Sequence, residues 1–580
     1  MLAPGGALLV PGRAWAQAAP AATAAPNRTE LERPAPAPPA ARPRLTVEGG
    51  VEHAPCALDD PAYAAIRIKF TKANFKHLGP VAAEVLGDSW AAYAGTEQPV
   101  SAVCRIRDAA ATRLRSLGYL AAVQVPVQRI ENGVVDFEVL YARVTQIRVI
   151  GAAGRNERLL QGYLGHLADG QLFNRFAAER YLLLARDLPG YDVRLALKPA
   201  GTGPGDMIGE VRIAYVPVLI DFTSDDFAAP TTGRFSGQLR AVFNGLTGQG
   251  DRTTVSLSSS AQVRKQQVLQ LGHEMALGGE GLRLAGHFTY AWTQPDLGPT
   301  VPSVAVRTLF ANLELNYPLI RTQALTLRAA GGFDYINQKV RFAGQPLSED
   351  RLRTGFVRLD AEAIDLVGTG PDGAVGWKFN ASLEGRKGLG LFNPSPNCPV
   401  VPTVCAAPGF IAPALATGNP GAGLLRFSAM LETRPLRHWV VTVSPRAQLA
   451  SGPLMAFERF TAGNYTIGRG YDPGALTGDD GIGFQTELRY ESFILSAERA
   501  IDLKPYAFVD TAWLWDRGAV IRQPRNLGSL GGGVRIGFGN RARLDLAGAA
   551  PMVVLPGEAA RRDPRFLMTF AMTLFPWSAR

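Results

Sequence analysis

The 580-residue chain is 47% hydrophobic and 19% charged, a balance that excludes wholesale disorder and allows a buried core. No window approaches the roughly 18 consecutive apolar residues of a membrane-crossing helix, which argues against a helical membrane protein. A formal charge of +10 invites a nucleic-acid reading, but the 60 Lys and Arg are scattered singly along alternating segments, so no nucleic-acid partner is expected.

The first residues, "MLAPGGALLVPGRAWAQA", hold a short apolar run and then two A-x-A patterns, Ala14-Trp15-Ala16 and Ala16-Gln17-Ala18. Residues 1–18 read as a signal peptide with no basic residue ahead of its apolar run; an unstructured Ala/Pro-rich leader is the competing reading. The following stretch, 19–52, is Pro/Ala-rich without apolar periodicity and reads as an extended linker.

From 53 to 143 the pattern becomes strand, helix, helix, strand, strand. "AIRIKFTKANF" is β-like, and "VSAVCRIRDAAATRLRSLG" sets Val103, Ile106, Ala110, Leu114 and Leu117 on one helical face that stops at Gly118. "YLAAVQVPVQRIENG" and "VVDFEVLYARV" alternate around Glu131-Asn132-Gly133, a hairpin signal. The same order recurs over 144–216: "TQIRVIG", helices near Asn156–Leu164 and Phe173–Leu188, then "YDVRLALKPA" and "IGEVRIAYV". Two tandem α+β modules form an internal repeat, and such sheets commonly bind by edge addition.

Beyond 217 helical periodicity ends, and the remainder to 580 reads as strand after strand. In "TLFANLELNY", Leu309, Ala311, Leu313, Leu315 and Tyr317 oppose Thr308, Asn312, Glu314 and Asn316; "GIGFQTELRY" sets Ile482, Phe484, Leu488 and Tyr490 against Gln485, Glu487 and Arg489. A soluble sandwich also alternates, but about sixteen segments of roughly 22 residues each, with no helix to cover a face, form a stable sheet only by closing. Dyad alternation in an even number of strands is what a transmembrane barrel requires, because closure pairs every backbone group that lipid cannot satisfy. The fold class is therefore mainly β: a sixteen-stranded transmembrane barrel after two α+β modules.

The four cysteines, Cys56, Cys104, Cys398 and Cys405, form no CxxC and have no zinc-like histidine neighbours, so two disulfides in an oxidising compartment fit better. Cys398 and Cys405 share the Pro-rich "SPNCPVVPTVCAAPG", where a bridge would staple a barrel loop. No HExxH, GxSxG or P-loop occurs, Asp479-Asp480-Gly481 reads as a hairpin turn rather than a calcium fragment, and no catalytic or metal-ligating set is expected. One cation stands out. Arg469 lies in Gly-rich "TIGRGYDPG" between the eleventh and twelfth strands; folded into the lumen it would need an anion, and Asp510 in "YAFVDTAWLWD" could supply one. A solvated arginine on an exposed turn is the alternative.

"IGRGYDPGALTGDDGIGFQTELRY" resembles the (V/I)RGY loop and following strand of the two-partner secretion transporters, the haemolysin secretion/activation family of the outer-membrane assembly-factor superfamily. Arg469, Gly470, Tyr471, Gly474, Gly478, Asp479, Gly481, Glu487 and Leu488 match, and Phe508-Val509-Asp510-Thr511-Ala512 is similar to the family's F-x-D-x-G motif with Ala512 in place of glycine. "PCALDD" with "VCRIRDAAATRLRSLGY" is similar to the paired-cysteine pattern of the family's first POTRA domain, which implies a Cys56 to Cys104 bridge. The resemblance implies POTRA domains at 53–143 and 144–216, a barrel at 217–580, and an outer-membrane pore with periplasmic modules. It implies a partner too: an unfolded exoprotein, haemolysin- or adhesin-like, captured by the modules and threaded through a monomeric, lipid-embedded barrel without cofactor. Three features depart from the family: Gly468 replaces valine, a small change that adds flexibility, 19–52 shows no convincing plug helix, and Phe575 takes the terminal aromatic position ahead of a short tail. An insertase of outer-membrane proteins is the nearest rival, and a passive porin or an enzyme fits less well.

Overall fold

The computed structural model describes residues 26, 28–31, 56–151, 154–168, 172–491, 493–496, 501–518, 523–539 and 541–576. The signal-peptide reading of 1–18, most of the linker and the tail at 577–580 lie outside the described residues.

In the first module, strand Lys72–Lys76 runs parallel to Val134–Tyr141, and Ala121–Gln124 lies antiparallel on the other side. Helix Ala102–Ser116 covers this sheet because Val103, Ile106, Ala110 and Leu114 recur at helical spacing, each fully buried against Val135 and Phe137. The chain leaves the helix through Gly118 at φ 91°, where a side chain would meet the Phe176 ring.

Three details differ from the sequence expectation. The first helix is replaced by 3-10 turns, Ala83–Ser89 and Ala91–Tyr93, in a stretch punctuated by Pro80, Gly87 and Gly95 where Leu86 and Ser89 are buried. "AIRIKFTKANF" divides into Arg67–Lys69, which pairs with Glu97–Pro99, and Lys72–Lys76. The turn at Asn132 and Gly133 forms with positive φ, but the strand before it stops at Gln124, two residues ahead of Pro126, which has no N–H to give a ladder.

The second module repeats the plan. Arg143–Ile150 runs parallel to Asp206–Tyr215, with Tyr191–Pro199 antiparallel on its other side. Helices Glu157–Gly165 and Arg175–Arg186 bury Leu160, Leu164 and Leu182 against Val193, Leu195 and Val211. Asn174 caps the second helix by accepting from the Phe176 N–H at 2.9 Å. Backbone hydrogen bonds splice the modules, with Phe173 N–H donating to Ala142 O and Arg175 N–H to Gly118 O, both at 2.8 Å.

The barrel runs from Val218–Asp225 to Arg565–Phe575, each strand antiparallel to its sequence neighbour and the last paired with the first. Asp480–Tyr490 and Phe493–Ser496 are two pieces of one strand, since both pair with Ile501–Trp515, and the count is sixteen. Leu239 opposite Leu257, with Leu313, Val357, Leu449 and Val509, stays exposed on the outer wall, while Asp334, Arg386 and Asp510 are buried inside. Trp377, Trp439 and Tyr490 sit at the strand ends nearest the modules, and Trp292 and Trp513 toward the opposite rim, the placement of interfacial aromatic girdles. Asp479-Asp480-Gly481 is no hairpin turn: it leads into the twelfth strand, and its carboxylates accept from the Leu454, Ala450 and Arg517 N–H groups at 2.9, 2.7 and 2.8 Å.

Candidate functional site in the barrel lumen

Between the eleventh strand, Trp439–Ala450, and the twelfth, the chain folds into the lumen as a small hairpin in which Phe460–Ala462 pairs with Leu476–Gly478. Phe460, Ala462, Ile467, Tyr471 and Leu476 form an apolar cluster with Ala512, Leu514, Leu527 and Leu555 of the wall and rim. Small residues make room for it. A Cβ on Gly483 would stand 2.6 Å from Ile467 Cδ1 and 3.0 Å from Ala512 Cβ. Gly468 is a tightly placed turn residue rather than a point of added flexibility: its φ is 108°, and a Cβ there would lie 2.5 Å from Leu527 Cδ1.

At the tip of this loop, the Arg469 Nε and Nη2 donate to Asp510 Oδ2 and Oδ1 at 3.0 and 2.8 Å, and its backbone N–H donates to Oδ2 at 2.9 Å. Asp510 is fully buried, Ser529 Oγ adds a hydrogen bond, and the guanidinium lies 3.5 Å from the Phe508 ring centroid. Arg469 Nη1 also reaches Glu487 at 3.4 Å, whose carboxylate takes both nitrogens of Arg535 at 2.6 and 2.8 Å. The residues around it hold the tip in place. Gly470 approaches Pro551 and Ser529 too closely for a side chain, and the buried Tyr471 hydroxyl lies 3.0 Å from Gly528 O and 2.8 Å from Val553 O. The structure thus brings Arg469, Asp510 and Glu487 together and places Gly470 and Tyr471 against the neighbouring strand and rim on the same side of the barrel.

A second charge cluster escaped the sequence reading. Arg386, 0% exposed, donates to Asp334 at 2.6 Å, Glu458 at 2.9 Å and Glu384 at 3.1 Å, and Arg426 shares Glu458 at 2.7 Å. Glu458 belongs to the lumen loop, and Asp334 also meets Arg28 at 3.3 Å. Arg28 opens a four-residue helix, Arg28–Leu31, inside the barrel, which corrects the reading of 19–52 as linker alone. Leu31 packs with Val268, Phe310, Ile336, Leu352 and Phe457, and Gln338 and Gln270 donate to Pro26 O and Leu31 O at 3.0 and 2.9 Å. Four residues are too few for periodicity to register, and tertiary contacts hold a helix this short. An available signal was the set of apolar residues on inward positions, Phe310 above all, which have no reason to face an aqueous lumen unless something covers them.

Cys56 and Cys104 are bonded across 48 residues with Cα atoms 5.9 Å apart, and Cys398 and Cys405 across 7 with Cα atoms 5.7 Å apart. The second module seats on two barrel turns. Asp187 takes a bidentate pair from Arg321 at 2.6 and 2.7 Å, Asn156 accepts from Gly250 N–H at 2.9 Å, and Glu179 accepts from the Gln323 N–H. These turns therefore mark the periplasmic rim.

A closed sixteen-stranded barrel preceded by paired α+β modules, with a loop folded into its lumen, defines an outer-membrane protein of the assembly-factor architecture whose modules are periplasmic POTRA domains. The family profile of the haemolysin secretion/activation proteins ShlB/FhaC/HecB matches residues 212–536, and the chain belongs to that family, the TpsB-type transporters. The heme/hemopexin transporter protein HuxB of Haemophilus influenzae (strain 86-028NP) is 24% identical over 250 residues, 42% of this chain. The match spans 44% of that curated relative's length. Among solved structures, CdiB from Escherichia coli superposes with a TM-score of 0.70 at 16% identity, covering 91% of this chain and 94% of that one. CdiB from Acinetobacter baumannii gives 0.62 at 17%, covering 91% and 95%. BamA from Haemophilus ducreyi lacking POTRA domains 1–3 gives 0.50 at 14%, covering 88% and 100%. These likenesses are of fold.

Proposed function

We propose that this protein captures an unfolded exoprotein in the periplasm through its POTRA domains, 53–143 and 144–216, and secretes it through the barrel at 217–580. Family membership supports the class, and the Arg469 to Asp510 anchor is the observation that carries the mechanism. A loop held in the lumen by three hydrogen bonds to one buried carboxylate is a device with two arrangements, docked and released, and so a means of holding the pore in a working state. Capture by sheet-edge pairing draws support from the edge strands of both modules, Ala121–Gln124 and Tyr191–Pro199, each of which pairs on one side only.

Arg469→Ala tests this reading. Removing one partner of a buried pair costs about 3–5 kcal/mol locally, while the sixteen strands keep their own pairings. The variant is expected to remain a heat-modifiable barrel in the outer membrane and to lose export of its partner; export at the normal level would overturn the proposal.

A further inference from the structure

Two cavities in the lumen are lined by several charged side chains among the described residues. One, of about 650 Å³, lies at the periplasmic mouth between strands from both ends of the barrel sequence, and includes Asp221, Arg240, Arg535, Arg543 and Asp545 in its lining. The other, of about 440 Å³, lies farther out between the wall and the base of the lumen loop, and includes Arg358, Glu384, Arg426, Arg446 and Thr461.

In both cavities the arginines face carboxylates. Arg240 meets Asp221 at 2.8 Å and Arg535 meets Asp545 at 2.9 Å; Arg358 meets Glu314 at 2.7 Å and Arg426 meets Glu458 at 2.7 Å. Each cavity has one exception. Among the described residues, the side chains of Arg543 and Arg446 form neither a hydrogen bond nor an ion pair. Both point inward. Arg543 is two residues from Asp545 on one strand, and Arg446 is two residues from Gln448, whose amide bonds the loop at Glu458 O and Asp479 O. Beside Arg446 the wall offers Ser428 and Gly483 in register, neither an anion; beside Arg543 it offers Gly537 and Ala571, with the Asp502 carboxylate, already paired with Lys504 at 3.2 Å, over Gly537.

An unpaired guanidinium in a confined polar cavity is a ready bidentate donor for a carboxylate, and its attraction is screened less there than at an open surface. We propose that Arg543 and Arg446 form a lumenal anion track on which Asp and Glu side chains of a translocating polypeptide bind in succession, first at the periplasmic mouth and then beneath the loop. The inference rests on the export reading above and names the chemistry by which the pore would grip its cargo. Two single sites rather than a basic stripe suit transient holding, since a chain bound at many points would not leave.

The test uses the full chain in planar bilayers under a KCl gradient, with a glutamate-rich or a lysine-rich peptide of equal length added on the periplasmic side. The wild type is expected to prefer anions and to be blocked longer by the acidic peptide. Arg446→Gln and Arg543→Gln, checked as heat-modifiable barrels, are each expected to shift the reversal potential toward cations and to shorten acidic blockades about tenfold, as loss of one charged hydrogen bond implies. Arg446→Lys is expected to keep the anion preference. Unchanged reversal potentials and blockades in both glutamine variants would overturn the track whether or not the chain exports a protein. Peptide discrimination as stated, with normal export by Arg469→Ala, would overturn the export mechanism alone.

Discussion

At Arg469 and Glu458 the lumen loop is tied to the wall by two kinds of charge contact with different consequences. Arg469 meets one buried carboxylate in a bidentate pair, so its loss leaves Asp510 uncompensated at a single point. Glu458 instead lies between Arg386 and Arg426, and Arg386 passes the contact to Asp334, which holds Arg28 of the lumen helix. Glu458→Gln keeps the shape of the side chain but removes the anion that Arg386 and Arg426 share, leaving Asp334 and Glu384 to balance both arginines and Arg28 beside the helix. The helix is short and its contacts few, and each 1.4 kcal/mol lost raises its undocked fraction about tenfold. Planar-bilayer recordings of Glu458→Gln are expected to show a larger open fraction than wild type; an unchanged open fraction would mean that the cluster does not hold the helix. Arg469 was readable because a lone cation among glycines is conspicuous, whereas Glu458, Arg386 and Asp334 lie far apart in sequence and look like ordinary lumen charges until the barrel closes.

Among the elements, the helix Ala102–Ser116 and the strands of the second module follow closely from apolar spacing, because each buries one face against its own sheet. The elements that differ from expectation are short ones whose state depends on neighbours: the 3-10 turns at Ala83–Ser89 and the split of the first strand. The Cys56 to Cys104 bridge ties the segment ahead of those turns to the helix. Closing a loop of 48 residues stabilises by about 4 kcal/mol through the unfolded chain, against about 2 kcal/mol for the 7-residue loop of Cys398 and Cys405. In the full-length protein, Cys56→Ser with Cys104→Ser is therefore expected to speed tryptic cleavage within 56–116 while 157–215 remains resistant. The Cys398→Ser, Cys405→Ser pair is expected to leave the barrel strands protected, and equal sensitivity in both double variants would refute this ranking.

For the whole molecule, the second module and the barrel meet through the Asp187 to Arg321 pair and backbone bonds at the turns, yet the sixteen strands pair among themselves. Deleting 53–215 is thus expected to leave a closed barrel that conducts in bilayers but no longer exports the partner; continued export would favour a passive pore instead. The sequence by itself determined the class of fold. Alternation with period two over about 360 residues, without helices, admits no stable solution but closure, and the recurrence of one strand and helix order marks the two modules. Tertiary structure alone decided what fills the lumen. Alternation tells which side chains face inward but not which strands stand opposite one another across the barrel, so neither the Arg386 cluster nor the seat of Leu31 among Phe310, Ile336 and Phe457 can be seen before the sheet curls shut. Pairing across a lumen depends on strand number, register and loop entry together, and those are properties of the closed surface rather than of any segment along the chain.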